Sequence, residues 1–137
     1  MGQQQLLLIV LGVIIVGIAV VVGINVFTAS AASANRDAIT ADLTNLAAMA
    51  QQFYRKPIAL GGGGNTFNLG GTAGTGWTVP TSLSPTANMS AAVTPTIAAQ
   101  SVTLVAVGTE KGTNGTAPVK VTMIVSPTVI TSTTVNN

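Results

Sequence analysis

The sequence contains no cysteine and no histidine. The first absence excludes disulfides and thiolate chemistry. The second removes the commonest metal ligand and general base. Carboxylates are almost as scarce, with Asp37, Asp42 and Glu110 the only three. So thin an inventory does not support acid–base, nucleophilic or metal-assisted catalysis, and no enzyme, cofactor or metal site is expected. Charged residues make up 6% of the chain, against about 25% in ordinary soluble domains. The net charge of +2 is too small to argue for a nucleic-acid partner, and no basic patch with aromatics occurs. A surface this poor in charge is either hydrated by Thr, Ser, Asn and Gln or covered by copies of the same chain.

What is present is apolar and unevenly distributed. Leu6 to Ile24 is an unbroken run of 19 Leu, Ile, Val, Ala and Gly residues, followed after Asn25 by Val26 and Phe27. As a helix the run measures about 28 Å, close to the roughly 30 Å of a bilayer core. No charged side chain precedes Arg36, so the segment can span a membrane. A cleaved secretory peptide is the alternative, with small residues at Ala29, Ser30 and Ala31 as its cleavage site. Against it, no Lys or Arg precedes the run, which also exceeds the usual length of such segments. Gly12, Gly17 and Gly23 are spaced by five and six residues, which is not the four-residue dimer motif. Small residues still let helix backbones approach one another. A helix that is apolar all round is buried on all sides, by lipid or by neighbouring helices.

The pattern turns amphipathic after Asp37. Ile39, Leu43, Leu46, Ala50 and Phe53 recur at spacings of three and four, the period of one helix face. The small residues from Ala29 to Ala34 allow the helix to continue without a break. Pro57 ends it, because the residue before a proline is driven out of the α region. Arg55 and Lys56 read as a helix-end feature, where cations complement the helix dipole. A helix from Gln3 to Lys56 is roughly 80 Å long, so part of it projects from its own domain. Residues 3–28 form the transmembrane half and residues 29–56 the amphipathic half.

Beyond Pro57 the texture changes. Gly61–Gly64 is followed by Gly70, Gly71, Gly74 and Gly76. The run lacks the Gly-Lys-Ser/Thr ending of a phosphate loop and reads as a flexible connection or a tight-turn region. Trp77 reads as a packing anchor. Residues 78–100 are rich in Thr, Ser and Pro, with Ser84–Pro85 and Thr94–Pro95 marking turns or edge positions. Residues 101–108 and 119–126 alternate as strands, joined by a long loop holding Asn114 and Gly115, and residues 129–135 add a third. The fold class is therefore α+β: a long N-terminal helix packed, through its C-terminal half and with Trp77, against a small antiparallel sheet in a head spanning residues 57–137. The 23 Ser and Thr residues after Pro57 can hydrate the outer face without charge. Asn88 and Asn114 head Asn-X-Ser/Thr triplets and are candidate glycosylation positions, Asn114 the better placed because it falls in a loop. Thr and Ser near Pro are candidates for O-linked sugars.

A short polar head after Gly2, a hydrophobic helix running into an amphipathic half, a Gly-rich connection and a small C-terminal sheet together resemble the type IV pilin family. The resemblance covers the whole chain as architecture and residues 1–27 as sequence. It implies cleavage by a prepilin peptidase between Gly2 and Gln3, making residues 1–2 a leader and the mature start Gln3-Gln4-Gln5. It implies assembly by the pilus machinery: subunits held in the cytoplasmic membrane are extracted into an extracellular homo-oligomeric helical filament. The shared core would then be built from Leu6, Leu7, Leu8, Leu11, Gly12, Ile15, Gly17, Ile18, Gly23 and Phe27. Two positions depart from the family: its glutamate at the fifth mature position is Leu7 here, and the leader carries no Lys or Arg. Gln3, Gln4 and Gln5 offer neutral hydrogen bonds where the glutamate would neutralise a neighbouring N-terminal amine.

The expected function is structural, in adhesion or motility, with Arg36, Asp37 and Asp42 as the charges able to set register between subunits. Two alternatives share the architecture. One is a minor pilin or pseudopilin of a secretion or DNA-uptake system. The other is a single-pass membrane protein with a small extracellular domain.

Overall fold

A computed structural model describes residues 2–68, 76–112 and 114–136. Met1 of the expected leader and the glycines at 70, 71 and 74 lie outside the described residues. Helix α1 (Gly2–Arg55) is one continuous helix of 54 residues, roughly 80 Å long. No proline interrupts it, and Pro57 stops it as the sequence requires.

The glycine run that follows is a cap on the helix end. The last carbonyls of a helix have no intrahelical donor, and here the returning chain supplies three. Gly63 N–H donates to the Phe53 carbonyl (2.8 Å), Gly64 N–H to Lys56 (2.9 Å) and Asn65 N–H to Tyr54 (2.8 Å). Gly61 (φ 77°) and Gly64 (φ 57°) take left-handed conformations to make the turn, which glycine adopts freely. A Cβ on Gly63 would collide with the Thr66 carbonyl and approach the Phe53 ring to 2.9 Å. Of the two sequence readings for residues 61–64, the tight turn is the one seen. A Gly63→Ala substitution is expected to destabilise the head by about 1–3 kcal/mol. A lowered melting temperature, read from the fluorescence of the sole tryptophan, Trp77, checks this.

Four strands form one antiparallel sheet in the order β1 (Thr94–Ile97), β2 (Val102–Lys111), β3 (Pro118–Val125), β4 (Ile130–Asn136). Strand β1 adds to the three read from alternation. Its Pro95 is compatible with strand structure because β1 is an edge, where a missing N–H need not break a ladder bond. β2 runs beyond Gly108 to Lys111, and its pairing with β3 shifts register between Val107 and Lys111. Within the regular part, Val102 pairs with Val125, Leu104 with Met123 and Ala106 with Val121. These six side chains are all buried, so one face of the sheet is continuous hydrocarbon. The alternate residues Thr103, Val105, Val107, Lys120, Thr122 and Ile124 lie on the other face, with Thr94, Thr96 and Thr131 exposed on the flanking strands. Threonine thus supplies much of the outer-face polarity, and Lys120 is its one charge among these residues.

The buried face packs on Ala32, Ile39, Leu43, Leu46, Ala47 and Ala50 of α1, while Phe67, Trp77, Met89 and Val93 close the sides of the core. The architecture is α+β, one long apolar N-terminal helix packed on a small antiparallel sheet, and is pilin-like in shape.

Candidate functional site

The helix divides into two environments. From Ala32 onward one face is buried under the sheet, whereas no residue from Gly2 to Ser30 is buried by the chain itself. Leu6, Leu7, Leu8, Leu11, Ile15, Ile18 and Phe27 are all exposed, between 48% for Leu11 and 73% for Phe27. They belong to a set of 17 large apolar side chains exposed between Leu6 and Phe27. Covering a side chain of this size is worth roughly 1.5–3 kcal/mol, so the set holds on the order of tens of kcal/mol. The segment is long and apolar enough to cross a membrane and is compatible with membrane insertion. Cβ atoms added at Gly12, Gly17 or Gly23 would meet nothing within 4 Å, so the fold of the single chain does not require these glycines. Gly2 and Gln3, the residues flanking the expected cleavage, are exposed in the first turn of α1.

The helix–sheet residues read from periodicity come together in the core. Ile39, Leu43, Leu46, Ala50 and Trp77 are buried, and Phe53 packs half-buried beside them. The same stripe continues one and two turns further back, at Asn35 and Ala32, which the sequence reading did not include. A polar residue masked the continuation. Asn35 is tolerated because its side-chain amide donates to the Asn88 carbonyl (3.0 Å) and the Thr109 hydroxyl (3.3 Å). Gly108 makes the approach possible, since a Cβ there would collide with the Asn35 carbonyl oxygen. Phe67 was missed as well. It is wholly buried, and its ring lies 4.9 Å from that of Tyr54.

The stripe ends at a shallow groove between Asn25 and Thr28 on α1 and residues 109–112, Asn114 and Gly115 of the β2–β3 hairpin. The hairpin tip therefore overhangs the helix at the level where the apolar run stops. Asn114 is exposed on this tip, its side-chain oxygen accepting from the Thr116 (3.1 Å) and Ala117 (3.3 Å) N–H groups. Asn88 is half-buried, and its backbone carbonyl also accepts from Thr109 N–H. Of the two triplets, Asn114 is the accessible one.

On the face of α1 opposite the sheet, Ser30, Ala34, Asp37, Ala41, Ala48, Gln52 and Arg55 are exposed. At 3.6 residues per turn, Gly12, Ala19 and Gly23 fall on the same face further toward the N-terminus, whereas Gly17 falls on the sheet side. Small side chains thus recur along this side of the helix, with Leu8 and Val26 among them, and small residues allow close backbone approach. Gln51, Gln52 and Arg55 bound a shallow notch at Ala48. Alanines at seven-residue spacing were the sequence signal for this face, and apolar periodicity alone passes over them.

The charged residues separate by role. Asp42 accepts a 2.7 Å hydrogen bond from the Thr86 hydroxyl and so ties α1 to its own head. Arg36 is half-buried. Asp37, Arg55 and Lys56 are exposed. No family model, curated protein or solved structure matches the chain.

Proposed function

We propose that this chain is the structural subunit of an extracellular type IV pilus-like filament, polymerising through α1 and serving adhesion or motility. The observation that carries the proposal is the segment from Leu6 to Phe27, apolar on every face and covered by nothing in its own chain. Lipid satisfies it before assembly, and neighbouring copies of the same helix satisfy it afterwards. The small-residue face of α1 supports the second environment, because it continues past the apolar run to Ala48, beyond the thickness of a bilayer. The outer sheet face supports a dense surface lattice, since threonines hydrate it without like-charge repulsion between copies. A prepilin peptidase acting between Gly2 and Gln3 would release the helix for extraction from the cytoplasmic membrane.

Electron microscopy of sheared surface material, combined with N-terminal sequencing of its subunit, tests the proposal. Filaments composed almost wholly of this chain are expected, with the mature chain starting at Gln3. Detergent-extracted monomers with no filaments in the sheared fraction would instead identify a single-pass membrane protein.

A further inference from the structure

We infer that Asp37 of one copy pairs with Arg55 of a parallel neighbour, fixing an axial offset of about 27 Å between them. The inference rests on the filament reading above and names the contact that sets its register. Asp37 and Arg55 are 18 residues apart, which is five whole helical turns, so both lie on one line along α1. Both are exposed, and the line is on the face opposite the sheet. They cannot meet within one chain, because an unbroken helix holds them about 27 Å apart.

Between them this face carries Ala41, Thr44, Ala48 and Gln52, all uncharged. The Thr44 hydroxyl donates to the Thr40 carbonyl of its own helix (2.7 Å) and needs no outside partner. A neutral track with an anion at one end and a cation at the other is complementary to the same track on a displaced copy. The other two carboxylates are placed elsewhere. Asp42 is held by Thr86, and Glu110 sits on the β2–β3 hairpin. Asp37 is therefore the carboxylate that this face offers to a second chain.

An antiparallel copy would also juxtapose the two charges, but it would leave the two apolar segments at opposite ends without shared cover. In the parallel arrangement, a neighbour displaced by five turns lays its residues 6–27 alongside residues 24–45 of the first copy. Ser30, Ala34 and Ala41 leave room there for close approach.

A charge swap on the full-length chain tests this. Asp37→Arg and Arg55→Asp are each expected to lower the yield of sheared filaments by at least ~10-fold. The double variant Asp37→Arg/Arg55→Asp, which restores opposite signs, should recover most of the wild-type yield. Asp37 lies mid-helix, so Asp37→Arg should leave the melting curve of the monomer followed at Trp77 unchanged, whereas Arg55→Asp removes the helix-end cation and should lower it equally in the single and the double variant. Single variants that assemble normally, or a double variant no better than the singles, would overturn the pairing. If the wild-type chain itself forms no filaments, the polymer reading fails and the pairing fails with it. Failure of the swap alone, with wild-type filaments present, removes only the pairing.

Discussion

An Ile15→Asp chain, and equally a Leu11→Asp chain, should form no filaments while retaining a fully folded head. Both positions lie near the middle of the apolar run, where an aspartate costs about 2.5–3.5 kcal/mol to place in a bilayer. In a polymer the same cost recurs in every copy, with the carboxylate enclosed by neighbouring helices and given no cation to pair with. The nearest cation in sequence, Arg36, lies 21 residues along the helix from Ile15, roughly 30 Å away. The head is insulated from the change because neither side chain is buried against it. Two readouts separate these effects. Sheared filament yield should fall to background, and the thermal transition monitored at Trp77 in detergent should stay where it is. Normal filament yield would show that the run is not the polymerising element.

The opposite dissociation is expected of Leu43→Ala. Leu43 is fully buried where α1 meets the sheet, and truncating such a leucine costs about 2–5 kcal/mol, part lost hydrocarbon transfer and part residual cavity. Ala47 and Ala50 beside it are already small, so the site has little side chain with which to collapse into the space. For a head of this size the loss corresponds to a fall on the order of 10–20 °C in melting temperature. The apolar half of α1 is untouched, so membrane insertion measured by carbonate extraction should be unaltered. An unchanged melting temperature would mean that the helix–sheet seam does not stabilise the head.

These two variants probe the parts of the fold that were legible in sequence. The apolar run, the 3.6-residue stripe from Ile39 to Phe53 and the alternation around Leu104 and Met123 each repeat a simple period, and the structure places them accordingly. What was not legible depends on contacts distant in sequence. β1 is a four-residue strand containing Pro95, and only its place at the sheet edge makes it a strand. Phe67 sits among glycines with no period around it, yet it fills the end of the core. Asn35 looks like a break in the apolar stripe until the Asn88 carbonyl and Thr109 hydroxyl, more than 50 residues away, account for its amide N–H groups. The glycines at 61–64 carry no side-chain information, and their capping role follows from the carbonyls of Phe53, Tyr54 and Lys56 facing them. On the candidate interface, the apolar residues were evident from sequence. The neutral track between Asp37 and Arg55 was not, because the sheet had first to show which side of α1 it leaves open.

The overhang of the β2–β3 hairpin bears on how far α1 can be enclosed. Its tip faces Asn25 and Thr28 across a shallow groove, so the head has no bare stalk separating it from the apolar run. The tip acts as a collar on one side of the rod. Anything that wraps residues 6–24 meets the collar at the same height and can climb higher only on the opposite side. In the proposed polymer, neighbours would slide upward along the helix only through the sector lined by Ser30, Ala34, Ala41 and Ala48.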